Sequence, residues 1–294
     1  MAIIGWTRKS IPAPMNIVAV KSVSTASRIT PMARSRFAAV ICDIDGCLTP
    51  ETADPLDAAA LTRLAAYNEL AQTRGDRPVI TLCSGRPQPF VEAICRLLAN
   101  RTLPAIAENG VWLWHPATNR YDMDPAITAE HLRAVEAARR WVDIDLGPRG
   151  VSMQPGKSAS ISLYHPHTAI LRAIEPEVAR RFAAEGWPLR VSMTWLYINC
   201  DLAHISKGTA IDRWTTATGI ARERLAGIGD TPSDAAIAQR VAFFACPANA
   251  DARLTPLARY VSNAAEAHGV IDIIERLASG ATTQDAATPG GSAG

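Results

Sequence analysis

Four short apolar runs, "FAAVICD" (37–43), "PVITLCS" (78–84), "LAGIGD" (225–230) and "VAFFAC" (241–246), constrain most tightly what this chain can fold into. Each is strand-length and apolar without polar alternation, the pattern of a strand covered on both faces. Each ends in small or polar residues. Between the first two, "DAAALTRLAAYNELAQTR" (57–74) puts Leu61, Leu64, Ala65 and Leu70 on one helical face. Before the last, "SKGTAIDRWTTATG" (206–219) and "SDAAIAQR" (233–240) also read as helices, the first stopped by Gly219. Strand and helix in alternation predict an α/β fold, a mostly parallel sheet clothed by helices.

From Trp112 to about Cys200 the pattern changes. "SASISLYHP" (158–166) and "TWLYINCD" (194–201) read as strands, and helical stretches near 126–141 and 168–184 separate them. The parallel-sheet pattern then resumes, so residues 112–200 read as an α+β cap inserted into a core of 37–111 and 201–278. An inserted lid suits a binding cleft between two domains.

The 294 residues suffice for such a pair, and 48% hydrophobic with 20% charged residues is a globular balance. A net charge of +2 gives no reason to expect nucleic acid or an anionic membrane as partner. No apolar stretch approaches the roughly 20 residues of a membrane span. Six cysteines without a CxxC pair or metal-like spacing to histidine suggest a reducing, cytoplasmic compartment. Residues 1–36 carry Arg8, Lys9, Lys21, Arg28, Arg34 and Arg36 and no acid. They read as a targeting-like segment, as a disordered extension, or as the product of a start placed too early, with Met15 and Met32 as later starts. The tail 279–294 reads as disordered.

Ligands of an open α/β sheet bind beyond the carboxyl ends of its strands. There the runs deliver Asp43 and Asp45, Asp230 and Ser84, and the following helix begins at Ser206-Lys207. Three converging carboxylates cost several kcal/mol unless a cation neutralises them. An all-oxygen ligand set favours Mg2+.

These residues stand in four motifs: "DIDGCLT" (43–49), "TLCSGRP" (81–87), Lys207 within "HISKGTA" (204–210) and "GDTPSD" (229–234). Their order and content resemble the haloacid dehalogenase superfamily of phosphatases. "ENGVWLW" (108–114) resembles the entry to the large C2-type cap of its Cof-like and sugar-phosphatase branch. The resemblance implies a Rossmann-like core and an aspartyl-phosphate mechanism. Asp43 would be the nucleophile, Asp45 the general acid and base, and Lys207 the charge-neutralising cation. Ser84, Gly85 and Arg86 would hold the phosphoryl group, with Arg86 alternatively capping the next helix. Mg2+ would be held by Asp43, the Asp45 carbonyl and Asp230, with Asp234 supporting directly or through water. "GDTPSD" has Ser233 where this branch usually carries Asn, and Cys47 stands where aliphatic residues are common. Neither change removes a required charge.

Substrate choice would lie in the cap. "QPGKSASISLYHP" (154–166) resembles a cap strand of sucrose-, trehalose- and mannosylglycerate-phosphate phosphatases, in which Lys157 and Ser158 would face the cleft. A lysine there can equally be an edge residue discouraging aggregation. Asn109 matches a position that lines the site in this branch. Trp195 and Tyr197 are expected on one face of a strand, for packing or for stacking a sugar. His165, His167 and His204 have no second ligand at metal spacing and read as surface or packing residues. The expectation is thus an Mg2+-dependent phosphatase of a small phosphorylated metabolite, a sugar phosphate foremost. The alternatives are a sugar phosphomutase on the same core and a non-catalytic phosphosugar-binding protein.

Overall fold

A computed structural model describes residues 35–280. The expected N-terminal extension, save its last two residues, and the tail beyond Gly280 lie outside the described residues.

All four apolar runs become strands of one parallel sheet: β1 (Ala39–Cys42), β2 (Val79–Leu82), β10 (Leu225–Ile228) and β11 (Phe243–Cys246). A short β12 (Tyr260–Val261) completes the order β12-β11-β10-β1-β2. β1 is an interior strand, paired in register with β10 (Ala39 opposite Leu225) and with β2 (Ala39 opposite Val79). All four residues of β1 are buried, which explains why the run shows no polar alternation.

Helices α1 (Ala58–Arg74), α2 (Gln88–Leu97), α5 (Lys207–Thr218), α6 (Ala235–Ala238) and α7 (Glu266–Ala278) flank the sheet. Their apolar faces join the strands in two clusters, one centred on Leu61, Leu64, Ile80 and Val270, the other on Ile41, Trp214 and Phe244. Gly75 and Gly219 end α1 and α5 in the left-handed region, each amide bonding the carbonyl four residues back.

Beside the sheet, β3 (Ala105–Ala107), β4 (Trp112–His115) and β5 (Arg120–Met123) form an antiparallel trio. Leu113 and Trp114 bury themselves in the clusters of the large sheet. The segment 112–123, counted above with the insert, therefore packs with the core.

The second layer is an antiparallel sheet in the order β6 (Ser152–Met153), β7 (Ser160–Tyr164), β9 (Tyr197–Leu202), β8 (Leu189–Met193). Helices α3 (Ala129–Trp141) and α4 (Thr168–Ala184) cover one face of it. Val135, Trp141, Leu163, Leu171, Phe182 and Ile198 form its own apolar core. The architecture is an α/β parallel sheet with an inserted α+β layer. No helix among the described residues is long and apolar enough to cross a membrane.

Candidate active site

β1 and β10 end side by side, so Asp43 and Asp230 leave the sheet as neighbours, because Cys42 pairs with Ile228. Gly46 then turns the chain at φ +74°. A Cβ there would stand 1.9 Å from Asp230 Oδ2, so the close approach of the two loops requires glycine. The turn is held further by Asn249, whose Nδ2 donates to the Gly46 carbonyl at 2.8 Å.

Lys207 opens α5, where Ser206 caps the helix by accepting from Thr209 N. Its Nζ donates to Asp43 Oδ2 at 2.7 Å and to Asp234 Oδ1 at 2.6 Å, with all three side chains buried. Asp234 Oδ2 accepts from the amides of Asp230 and Thr231 and from Thr231 Oγ1. Asp234 is therefore saturated by the protein and organises the loop and the lysine. Asp230 is different: among the described residues its carboxylate accepts only a weak hydrogen bond, from Cys47 Sγ at 3.7 Å.

One oxygen from each of Asp43, Asp230 and Asp234 lies within 4.8 Å of the others. Burial raises the Asp230 carboxyl to about 9, with Asp43 and Asp234 adding repulsion. Burial and Asp234 likewise push Asp43 up to about 7, against the pull of Lys207. For Lys207 itself, burial acts downward but Asp234 and Asp43 outweigh it and hold the ammonium well above its ordinary value. The cluster therefore holds three acids against one lysine, with one carboxylate almost unsatisfied. An oxygen-binding divalent cation fits that deficit. Asp43 and Asp230 have lone pairs to offer it, and Asp234 fits as a support rather than a direct ligand.

Asp45 is only partly buried, and Arg86 grips its carboxylate with two bonds, Nε to Oδ2 at 2.7 Å and NH2 to Oδ1 at 2.6 Å. Thr49, almost fully buried, also donates to Asp45 Oδ1 at 3.3 Å. Ser84 is buried, and its Oγ accepts from the Arg86 amide at 3.2 Å. The loop 84–86 is thereby folded toward Asp45, and Arg86 is not a helix cap.

Asp43, Asp45, Ser84, Gly85, Arg86, Asn109, Lys157 and Lys207 all line one cavity of about 710 Å³. Arg172, Arg190, Asn199 and Asp201 of the second layer line it too. Lys157 is 8% exposed, donates to Ser162 Oγ and forms no ion pair among the described residues. Burial lowers its ammonium below the usual range, partly offset by Asp201 and Glu108. Asp201 accepts from Asn109 Nδ2 at 3.1 Å, but its Oδ1 is buried with no hydrogen-bond partner.

Two expectations fail. Ser158 does not line the cavity; its Oγ accepts from Trp112 Nε1 at 3.1 Å and its amide turns to Glu108. Trp195 sits in the turn between β8 and β9 rather than on a strand, 64% exposed, although both it and Tyr197 border the cavity. Of the histidines, His165 is buried and His204 stacks on His131 with centroids 4.4 Å apart. Arg172, Arg190, Asn199, Asp201 and Glu108 carried no advance signal: the pairing of β8 with β9 places Arg190, Asn199 and Asp201, while Arg172 comes from α4 and Glu108 from the turn after β3.

A family model described as haloacid dehalogenase-like hydrolase matches residues 170–274. A phosphoglycolate phosphatase of Methanothrix thermoacetophila is 30% identical over 109 residues, 37% of this chain and 49% of that protein. The chain thus spans about half the length of that relative. The phosphoglycolate phosphatase of Methanosarcina acetivorans is 25% identical across 83% of this chain and 98% of its own. The chain is similar to haloacid dehalogenase-like hydrolases. The fold agrees over most of the chain. A haloacid dehalogenase-like hydrolase from Bacteroides thetaiotaomicron superposes with a TM-score of 0.62 at 17% identity, covering 82% of this chain and 99% of that one. The sucrose-phosphatase of Synechocystis, solved with sucrose and phosphate, gives 0.58 at 14% identity over 82% and 98%.

Proposed function

We propose that this chain is a haloacid dehalogenase-like phosphatase that depends on Mg2+ and hydrolyses a small phosphorylated metabolite, a sugar phosphate foremost, through an aspartyl-phosphate on Asp43. One observation carries the reading: Asp43, Asp45, Arg86 and Lys207 face a single cavity, and a carboxylate oxygen of Asp230 lies within 4.8 Å of one of Asp43.

In the first step, a carboxylate oxygen of Asp43 attacks phosphorus and the ester oxygen leaves as the alcohol, taking a proton from Asp45. In the second, Asp45 removes a proton from water, whose oxygen attacks phosphorus, freeing Asp43 and inorganic phosphate. Lys207 holds Asp43 in place and offsets its charge. Arg86 starts paired to Asp45. An arriving phosphoryl group competes for the guanidinium's paired donors, and their transfer to it would release Asp45 for proton exchange. Asp43, the Asp45 carbonyl and Asp230 would hold Mg2+, which supplies charge neutralisation at the phosphoryl oxygens. Phosphoryl transfer needs mainly such positioning and electrostatics.

The second-layer wall supports a hydroxylated substrate: Lys157 is a buried donor and Asp201 Oδ1 a buried acceptor without a partner. A second reading rests on Lys157 as well. A buried ammonium with no carboxylate of its own would also suit a substrate carboxylate, in line with the phosphoglycolate phosphatase relatives. The experiment is phosphate release from a panel of monoesters with Mg2+, sugar phosphates and phosphoglycolate included. A higher kcat/KM for sugar phosphates is expected, and the reverse order selects the second reading. Asp43→Asn should lose turnover by at least about a thousandfold while still binding substrate. Release from no ester, or an undiminished Asp43→Asn, rejects the proposal.

A further inference from the structure

Three consecutive residues after β3, Glu108, Asn109 and Gly110, have φ of +50°, +53° and +120°. A glutamate in the left-handed region is uncommon and costs backbone energy unless its surroundings hold it there. This one is 1% exposed and makes no ion pair among the described residues. Its carboxylate is satisfied instead by the loop leading into β7. Ser158 N donates to both oxygens at 2.8 and 2.9 Å, Ala159 N to Oε2 at 3.2 Å and Ser160 Oγ to Oε2 at 3.1 Å.

The backbone of the same segment is tied to the other side of the cavity. Glu108 N donates to the Arg86 carbonyl and Asn109 N to the Ser84 carbonyl, both at 3.0 Å. From the far side, Arg139 of α3 donates to the carbonyls of Lys157 and Ser160. The 157–160 loop is thus held by its amides to the core and by its carbonyls to the second layer. Its first residue is Lys157.

We propose that Glu108 is a positioning residue: its carboxylate fastens the 157–160 loop to the 84–86 loop and so sets where Lys157 stands across the cavity from the phosphoryl-binding groups. The inference rests on the preceding assignment of Ser84, Arg86 and Lys157 to the substrate. Charge-assisted bonds to backbone amides are the stronger kind, and a buried carboxylate that lost them would have no other partner. Movement of the second layer against the core must therefore either carry this loop along or break the Glu108 contacts.

Glu108→Gln keeps the size of the side chain but puts an NH2 group against amide donors. Ser160→Ala removes a single bond from the loop side and serves as the milder probe should Glu108→Gln fail to fold. Two measurements on the full chain decide the matter: amide hydrogen exchange at 158–159, and kcat and KM for the best metabolite of the panel beside p-nitrophenyl phosphate. For Glu108→Gln, exchange at 158–159 should rise about tenfold or more, and KM for the metabolite about tenfold, while kcat for p-nitrophenyl phosphate stays within about threefold. Ser160→Ala should move the same quantities in the same direction by less. Unchanged exchange at 158–159, faster exchange there with unmoved KM, or an equal fall for both substrates with exchange rising throughout the chain each overturns the proposal. A wild type that releases phosphate from no ester defeats the phosphatase reading instead, and the exchange measurement still decides the tether.

Discussion

Asp230 and Gly46 show how much of this site depends on single atoms. Asp230 can stand beside Asp43 only because Gly46 has no side chain and takes a left-handed turn. In Gly46→Ala the new Cβ would collide with Asp230 Oδ2 at a conformation alanine disfavours. The carboxylate must then move by about an ångström or the turn must open. Displacements of that size at a reacting centre cost about a hundredfold in rate. Gly46→Ala should therefore lose at least that much kcat and bind Mg2+ more weakly, while thermal unfolding remains cooperative; wild-type kcat would contradict the geometry. Asp43 and Asp230 were legible at this level because each follows a strand whose pattern is plain, and Lys207 because it opens a helix of plain pattern. Ser158 was misread because the tryptophan and glutamate that claim it lie 46 and 50 residues away in sequence.

Among the helices, α1 shows what periodicity can and cannot deliver. Leu61 and Leu64 are buried as their spacing predicts, but the face continues through Tyr67, Asn68 and Ala71 rather than through Leu70. A buried Asn68 contradicts any apolar pattern, and the structure supplies the reason. Its Oδ1 accepts from Ile80 N at 2.8 Å, and its Nδ2 donates to the carbonyls of Ile80 and Leu98 at 3.2 and 2.9 Å. The side chain therefore sews α1 to the edge strand β2 and to the end of α2. Asn68→Ala would strand three buried backbone groups and leave a void, a loss of about 3 kcal/mol. Urea denaturation should show the midpoint fall with an unchanged slope and kcat near wild type, since Asn68 is remote from the cavity lining; an unmoved midpoint would refute the account.

For the molecule as a whole, the acid cluster couples stability to pH and to metal. Without metal, Asp230 titrates at about 9 in the folded chain against an ordinary 3.8. The folded state then holds this proton more tightly than the unfolded state. Its contribution is fully present below about pH 4 and declines as pH rises toward 9. A divalent cation would replace the proton, so metal stabilisation should grow across the same window, with protons released on binding. The melting temperature with Mg2+ minus that with EDTA should be larger at pH 8.5 than at pH 6. A difference that is absent, or that shrinks with pH, would argue against a cation beside Asp230.

The parallel sheet, its helices and the acids at its edge follow from local pattern: strand-length apolar runs, helical spacing and polar residues where those runs stop. Such information is carried within a dozen consecutive residues, so it survives without coordinates. The second-layer wall of the cavity does not. Glu108 against 158–160, Asp201 against Asn109, and Arg86 turned onto Asp45 are contacts between segments 41 to 92 residues apart. Their partners are chosen by how two sheets pack and by which buried donor lacks an acceptor, and neither condition exists until the chain has folded.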